Sequence, residues 1–577
     1  MNADQLLQHF ERISEAPDAI PRLRRFILDL AVRGKLVEQD PSDEPAAELL
    51  KRIAAEKSRV GRRKTEQVEI DNREELGVLP PLWCAVPLIA LGSWAIGTGF
   101  PKNEQGMEAG LHFFLKVSDM NLPGNDKYIT TSNNLIDDDA VRRMRAKIHP
   151  KGTIIFPKIG GAIATNKRRI LTRGSAIDNN CLGITFSGEL NTEWAFLLLT
   201  KLDFTRYQAG SAVPALQQGV LERIPVALPP LAEQHRIVAK VDELMNLCDQ
   251  LEAAKAEREQ CRDSLVAASL QGLNQPTEEE ETFREHARFT FTNLPRITTR
   301  AAHIKQLRQT ILNLAVLGKL VAQDPSEEPA SELLKRISAE KARLVKSGRI
   351  KRSTPALAIA EQQSLFELPQ GWVSVLWNSI ALKIGDIDHK MPESVVDGIP
   401  YISPRDFLPN NQIDFERAKR VSRQDFTRLS TKIKPDLGDI IYPRYGTIGK
   451  NRLVQEQRDF LASYSCCVIK VLNGFINPWY QYFFSISSHC RLQAKAAENK
   501  TTQSNVGIRS IQEFIVPLPP LPEQHRIVAK VDELMSVCDQ LEAQITVTEQ
   551  DSRRFLESVL ADALAPGMDL SAEAKVA

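Results

Sequence analysis

The stretch at 436–452, DLGDIIYPRYGTIGKNR, joins a short β-prone run to a glycine-rich turn carrying Arg444, Tyr445, Thr447, Lys450 and Arg452. Three chemistries are open to such a turn. As a phosphate loop it fails: in G-x-x-x-x-G-K the first glycine falls on Arg444, and Asn451 stands where a Ser or Thr must hold magnesium. As a nuclease centre it would use Asp436, Asp439 and Lys450, but the related stretch GTIIFPKIG at 152–160 has Thr153 in place of Asp439. As a nucleic-acid contact it needs little more, because glycines let the backbone approach phosphates, lysine supplies charge, and arginine can read a guanine edge with two hydrogen bonds. The related turn, IIFPKIGGAIATNKRR, carries Lys158, Lys167, Arg168 and Arg169. Two such tips at equivalent places in otherwise diverged segments point to a shared role, the alternative being charged hairpin ends in solvent.

Weaker polar clusters lie at 116–121 with Lys116, 178–180 with Asn180, 403–406 with Arg405, and 500–505 with Thr502 and Gln503. Other chemistries lack their residues. There is no Asn-Pro-Pro-aromatic or Asp-Pro-Pro-Tyr methyltransferase motif, no G-x-S-x-G elbow and no HExxH, and the eight cysteines form no CxxC pair. Neither a catalytic nor a metal site is expected, and the chain needs no cofactor of its own. The rival reading is an enzyme, one β segment being a nuclease or a methyltransferase fragment.

What must position the tips is written twice. Residues 228–253, LPPLAEQHRIVAKVDELMNLCDQLEA, recur at 518–543 with three differences, and residues 23–59 recur at 307–343 with nine. In the first pair Ile237, Val241, Leu244, Cys248 and Leu251, and again Ile527, Val531, Leu534, Cys538 and Leu541, step by four and three. That is the spacing of a narrow coiled-coil seam. Two matching seams in one chain predict two long helices packed antiparallel on each other. Pro229–Pro230 and Pro519–Pro520 should stop whatever precedes them. The second pair predicts a helical arm: an amphipathic helix ended by Gly34, then one capped by Ser42 or Asp43.

The expected fold class is α+β. Two mainly-β domains, 77–229 and 365–519, are separated by long antiparallel coiled-coil helices at 230–271 and 520–563, with a pseudo-two-fold internal repeat. Helical arms occupy 1–76 and 301–364, a Pro-, Glu- and Thr-rich linker 272–300, and a tail 564–577. The net charge of +1 hides a division. Residues 80–225 hold 16 Lys/Arg against 12 Asp/Glu, and residues 366–515 hold 19 against 15, so each variable segment carries +4. That excess permits nucleic acid without requiring it. The absence of an 18-residue apolar run and of a signal-peptide pattern predicts a cytoplasmic protein with reduced thiols and no membrane contact.

The LPPLxEQHRIVAKVDEL element, the GxLVxQDPxDEPAxxLLxxI element, the domain opening LPQGW and the loop GDIIYPRYGTIGK together resemble the specificity subunit of type I restriction–modification systems. The resemblance implies two target-recognition domains, each reading half of a split asymmetric sequence in double-stranded DNA. It implies docking of two methyltransferase subunits, which use S-adenosylmethionine to methylate adenine, and of restriction subunits that use ATP and magnesium. The first copy departs from the second: LPPLW for LPQGW, KIGGAIAT for RYGTIGKN, and SAVPALQQ for TTQSNVGI. Unlike halves of the target are therefore expected. Because the seams are nearly identical, a half-length chain ending near Pro276 is expected to dimerise through its own seam and read a palindrome.

Overall fold

The computed structural model describes residues 16, 18–59, 73–210, 213–274, 280–350, 358–359, 367–389, 391–499 and 504–564. Seven helices frame it: α1 (Ala19–Val32), α2 (Ala46–Arg59), α3 (Leu231–Asn274), α4 (Glu280–Ile297), α5 (Ala301–Val316), α6 (Ala330–Lys346) and α7 (Leu521–Leu564). The chain forms two compact units, one of residues 1–257 with 549–577 and one of residues 258–548. Each long helix therefore divides, the last turns of α3 belonging to the second unit and those of α7 to the first.

In the first unit the mainly-β domain opens and closes with one antiparallel pair, Cys84–Pro87 against Pro225–Leu228. Inside it a five-stranded sheet runs in the order Gly92–Ile96, Cys181–Phe186, Ile154–Pro157, Arg169–Leu171, Tyr128–Ile129, and a three-stranded sheet places His112–Leu115 between Leu135–Ile136 and Ser175–Ile177. The second unit repeats the plan. Val373–Leu376 pairs with Ile515–Leu518, and a four-stranded sheet runs Ala381–Gly385, Cys466–Val471, Ile440–Pro443, Arg452–Leu453. The proline pairs do what was expected, ending the closing strands at Leu228 and Leu518 and leading directly into α3 at Leu231 and α7 at Leu521.

The arms are tied to the domains by glycine. Gly34 and Gly318 follow α1 and α5 in the left-handed region (φ +67° and +70°), where a Cβ would stand 2.5 Å and 2.4 Å from the Cγ atoms of Pro80 and Pro369. No other residue fits there. The expected side-chain caps of α2 are replaced by backbone: Ala46 N–H donates to Leu82 O and Ala330 N–H to Gly371 O. Asp43 is instead held at 2.6 Å by Arg236, and Ser42 donates to Asp40.

The seams are buried in two separate cores. Ile237, Val241, Leu244 and Cys248 share a core with Ile20, Leu23 and Ile27 of α1, while Ile527, Val531 and Cys538 share another with Ile304, Leu307 and Ile311 of α5. Leu251, Leu534 and Leu541 are partly buried at the edges of these cores. Each seam thus shares its core with the arm helix of its own repeat and with the end of the other long helix, Leu556 in the first core and Val266, Leu270 and Leu273 in the second. Arg24 binds Asp249 and Glu252 at 2.6 and 2.8 Å, and its repeat-equivalent Arg308 binds Asp539 and, at 2.8 Å, Glu542. With Lys255 Nζ donating to Ala16 O at 3.2 Å, the Arg24 pairs run the first arm antiparallel to α3. The stretch expected as linker carries the 18-residue helix α4, since EETFREHARFTF places Phe283 and Ala287 four apart for packing on the second core.

Candidate nucleic-acid interface

Both tips are built on one backbone plan. In the first domain Lys158 N–H donates to Asn180 O (2.8 Å), Leu216 N–H to Lys158 O (2.9 Å) and Gly160 N–H to Pro214 O (2.7 Å). In the second, Arg444 N–H donates to Ser465 O (2.8 Å), Val506 N–H to Arg444 O (3.0 Å) and Gly446 N–H to Ser504 O (3.3 Å). The strands Ile154–Pro157 and Ile440–Pro443 deliver these turns to the same end of their sheets, beside the residues that precede Cys181–Phe186 and Cys466–Val471. Gly97 packs so close to this end that a Cβ would meet Asp178 O at 1.9 Å.

The side chains part company on this shared frame. The Lys158 side chain is half-buried and has no hydrogen-bond or ion-pair partner among the described residues. Asn180 is exposed and held by Asp178, its Nδ2 donating at 2.9 Å. At the position of Lys158, Arg444 is turned inward: it is 5% exposed, donates to Asp386 Oδ2 at 2.8 Å and to Tyr464 O at 3.2 Å, and lies over the Tyr445 ring. A buried guanidinium already spent on a half-buried carboxylate is not free to read a base, so Arg444 is withdrawn as a direct contact. Tyr445, Thr447 and Lys450 remain at the surface of that tip, with Tyr445 half-buried.

Other expected contacts also prove internal. Arg168 is 2% exposed, donates to Leu199 O and Leu202 O at 3.2 Å, and stacks on Phe204 at 4.1 Å. Burial pushes its guanidinium down to about 9, opposed by Asp203. Arg169 donates to Met120 O (2.9 Å), and Arg452 to Gln412 O (3.1 Å) while lying over Phe407; burial lowers both. These three arginines cross-brace loops. Lys116 is bound to Gln105 at 2.5 Å, and Lys167 to Asn121. Arg405 is exposed. Thr502 and Gln503 lie outside the described residues.

Sequence reasoning missed Asp386, whose role depends on a partner 58 residues away, and His389, which faces Tyr464 at 5.7 Å between ring centroids on the second tip. No local pattern marks either. It also missed the clamp beneath each domain. Glu233, fully buried on the first turn of α3, accepts from Trp83 Nε1 (2.8 Å) and Gln39 Nε2 (2.5 Å). Glu523 accepts from Trp372 Nε1 (3.0 Å) and Gln323 Nε2 (3.1 Å). Burial raises both carboxyls. The repeat of E-Q-H-R after the proline pair was the available signal. Among the described residues no group of three His, Cys, Asp or Glu is arranged to hold a metal, and no helix is long and apolar enough to cross a membrane.

The family model described as the type I restriction modification DNA specificity domain matches residues 111–258 and 369–548, more than half of the chain. The chain is 31% identical over 577 aligned residues to the type I restriction enzyme EcoAI specificity subunit of Escherichia coli, covering 94% of this chain and 93% of that one. It is 30% identical over 588 to the EcoEI specificity subunit of the same organism, with the same coverage. The crystal structure of the HsdS subunit from Thermoanaerobacter tengcongensis is similar at 18% identity and a TM-score of 0.43, covering 84% of this chain and 97% of that one.

Proposed function

This chain belongs to the family of type I restriction–modification DNA specificity subunits, and from that premise we propose how its two tips divide the work. The protein recognises DNA for a restriction–modification complex and is not itself the catalyst. Its target is bipartite and asymmetric, one half read by the end of the sheet around Lys158 and Asn180, the other by the end around Tyr445, Thr447 and Lys450. One observation carries this reading: the two ends share their backbone hydrogen bonds and differ in the side chains they leave open. A lysine point charge on one and a tyrosine beside a neutralised arginine on the other cannot favour the same bases. Two methyltransferase subunits, with S-adenosylmethionine, and restriction subunits, with ATP and magnesium, assemble around it in the cytoplasm.

The test is affinity against salt for the chain assembled with its methyltransferase partners, comparing Lys158→Ala and Lys450→Ala with the parent. A lysine on phosphate weakens binding to all sequences and lowers the salt slope by about one. A lysine on a base edge loses about 1–3 kcal/mol of discrimination in one half of the target. Affinity, slope and preference all unchanged would return both tips to solvent.

A further inference from the structure

The two long helices are each 44 residues, and aligned residue for residue they agree through the seam and then diverge. At the divergent ends the charge reverses: Asp263 in α3 corresponds to Arg553 in α7. The arms diverge at the matching place. Arm one has Asp18 and Arg22 where arm two has Ala302 and Gln306, and arm two has Arg300 and His303 where arm one has Ala16 and Ala19.

These differences meet. In the first unit the end of α7 lies on α1, with Leu556 fully buried in the core that holds Ile20 and Leu23. Arg553 stands 4.0 Å from Asp18, and Glu557 3.1 Å from Arg22. In the second unit the end of α3 lies on α5, with Val266, Leu270 and Leu273 in the core that holds Ile304 and Leu307. Asp263 pairs with Arg300 and accepts from His303 Nε2 at 2.7 Å. His303 is 3% exposed, and its Nδ1 accepts from Thr299 N–H, so Nε2 carries the proton and needs an acceptor.

We propose that the outer face of each arm is an addressed docking surface that selects the helix end of the other repeat and rejects that of its own. The apolar contacts choose weakly, since Val266 and Leu270 correspond to Leu556 and Leu560 and only the terminal Leu273 shrinks, to Ala563. The polar ones decide. Exchanged, Asp263 would face Asp18 without Arg300 or His303, and Arg553 would face Arg300 while leaving the buried His303 N–H without an acceptor. A chain built from near-copies thus closes on itself rather than on a half of a second chain. A half-length chain, whose arm would meet its own helix end, is expected to dimerise less readily than its seams alone would allow.

The experiment uses the full-length chain at low salt. Arg553→Asp alone should lower the folded-to-unfolded ratio of the first unit about 2- to 5-fold, and adding Asp18→Arg should recover it. Asp263→Arg should cost more, about 5- to 100-fold, because it also strands the His303 donor. Exchanging both ends together, Asp263→Arg with Arg553→Asp, should raise the dimer fraction in light scattering above that of the parent. Reversing both arms as well, Asp18→Arg with Arg300→Asp, should bring it back. Overturning results are unchanged unfolding and unchanged mass in the double exchange, or a loss on Arg553→Asp that Asp18→Arg does not repair. Either would mean that connectivity alone decides where each helix end lies.

Discussion

At the ends of their sheets the two recognition domains offer a controlled comparison, since the order of four strands and the backbone bonds at the tip match while Lys158 and Arg444 behave oppositely. The Lys158 side chain has no counter-ion among the described residues, whereas Arg444 is held inside by Asp386 and passes the surface to Tyr445 and His389. The lesson is that a basic residue in a glycine turn is a reader only if the fold has not already supplied its counter-ion. In these domains the variable element is the choice between a cation left in solvent and a cation used to brace an aromatic tip, on a frame that does not change.

The comparison breaks most visibly in stability. Asp386→Ala strands the Arg444 guanidinium in a site it cannot leave, and should destabilise the second unit by about 3–5 kcal/mol in denaturant unfolding. Lys158→Ala should shift the first unit by no more than about 0.5 kcal/mol. Equal losses would mean that Lys158 has a structural duty matching that of Arg444.

Where the two halves are alike, the same substitutions should cost the same. Trp83→Phe and Trp372→Phe each remove one of two donors to a buried carboxylate, and each should cost about 1–3 kcal/mol. A twofold mismatch between the copies would show that the clamps are not equivalent.

The clamps also predict a pH dependence. Burial raises Glu233 and Glu523 above their values in the unfolded chain. Their contribution is therefore greatest when protonated, fully present below the unfolded value of about 4.3, and lost as pH rises through the folded value. Glu233→Gln with Glu523→Gln should flatten stability between pH 4 and 7, followed by urea midpoints across that range. A steeper profile would contradict the assignment.

The smallest effect is at the arm. Arg24→Ala and Arg308→Ala remove exposed ion pairs and should each cost about 0.2–1 kcal/mol, fading with added salt.

Much of this was legible in the chain. Gly34, the proline pairs and the four-three stepping of Ile237 to Leu251 marked helix ends and buried faces correctly, because each reports a local constraint. The seam's partner was not legible: one amphipathic stripe fits any other of the same spacing, and only the divergent charges at Asp18, Asp263, Arg300 and Arg553 say which helix end meets which arm. The arginines failed for a related reason. Arg168, Arg169, Arg444 and Arg452 share the composition of a nucleic-acid loop, yet their partners are backbone carbonyls and a carboxylate distant in sequence, which spacing within the loop does not encode.

The central claim, that two different tips on one frame read two different half-sites, is tested most directly by mapping methylated adenines. The chain would be assembled with its modification partners and carry either Lys158→Ala or Tyr445→Ala. The account predicts that each substitution relaxes base preference in a different half of the target while the distance between the halves stays fixed. Relaxation of the same half by both, or a changed spacing with preference intact, would contradict it.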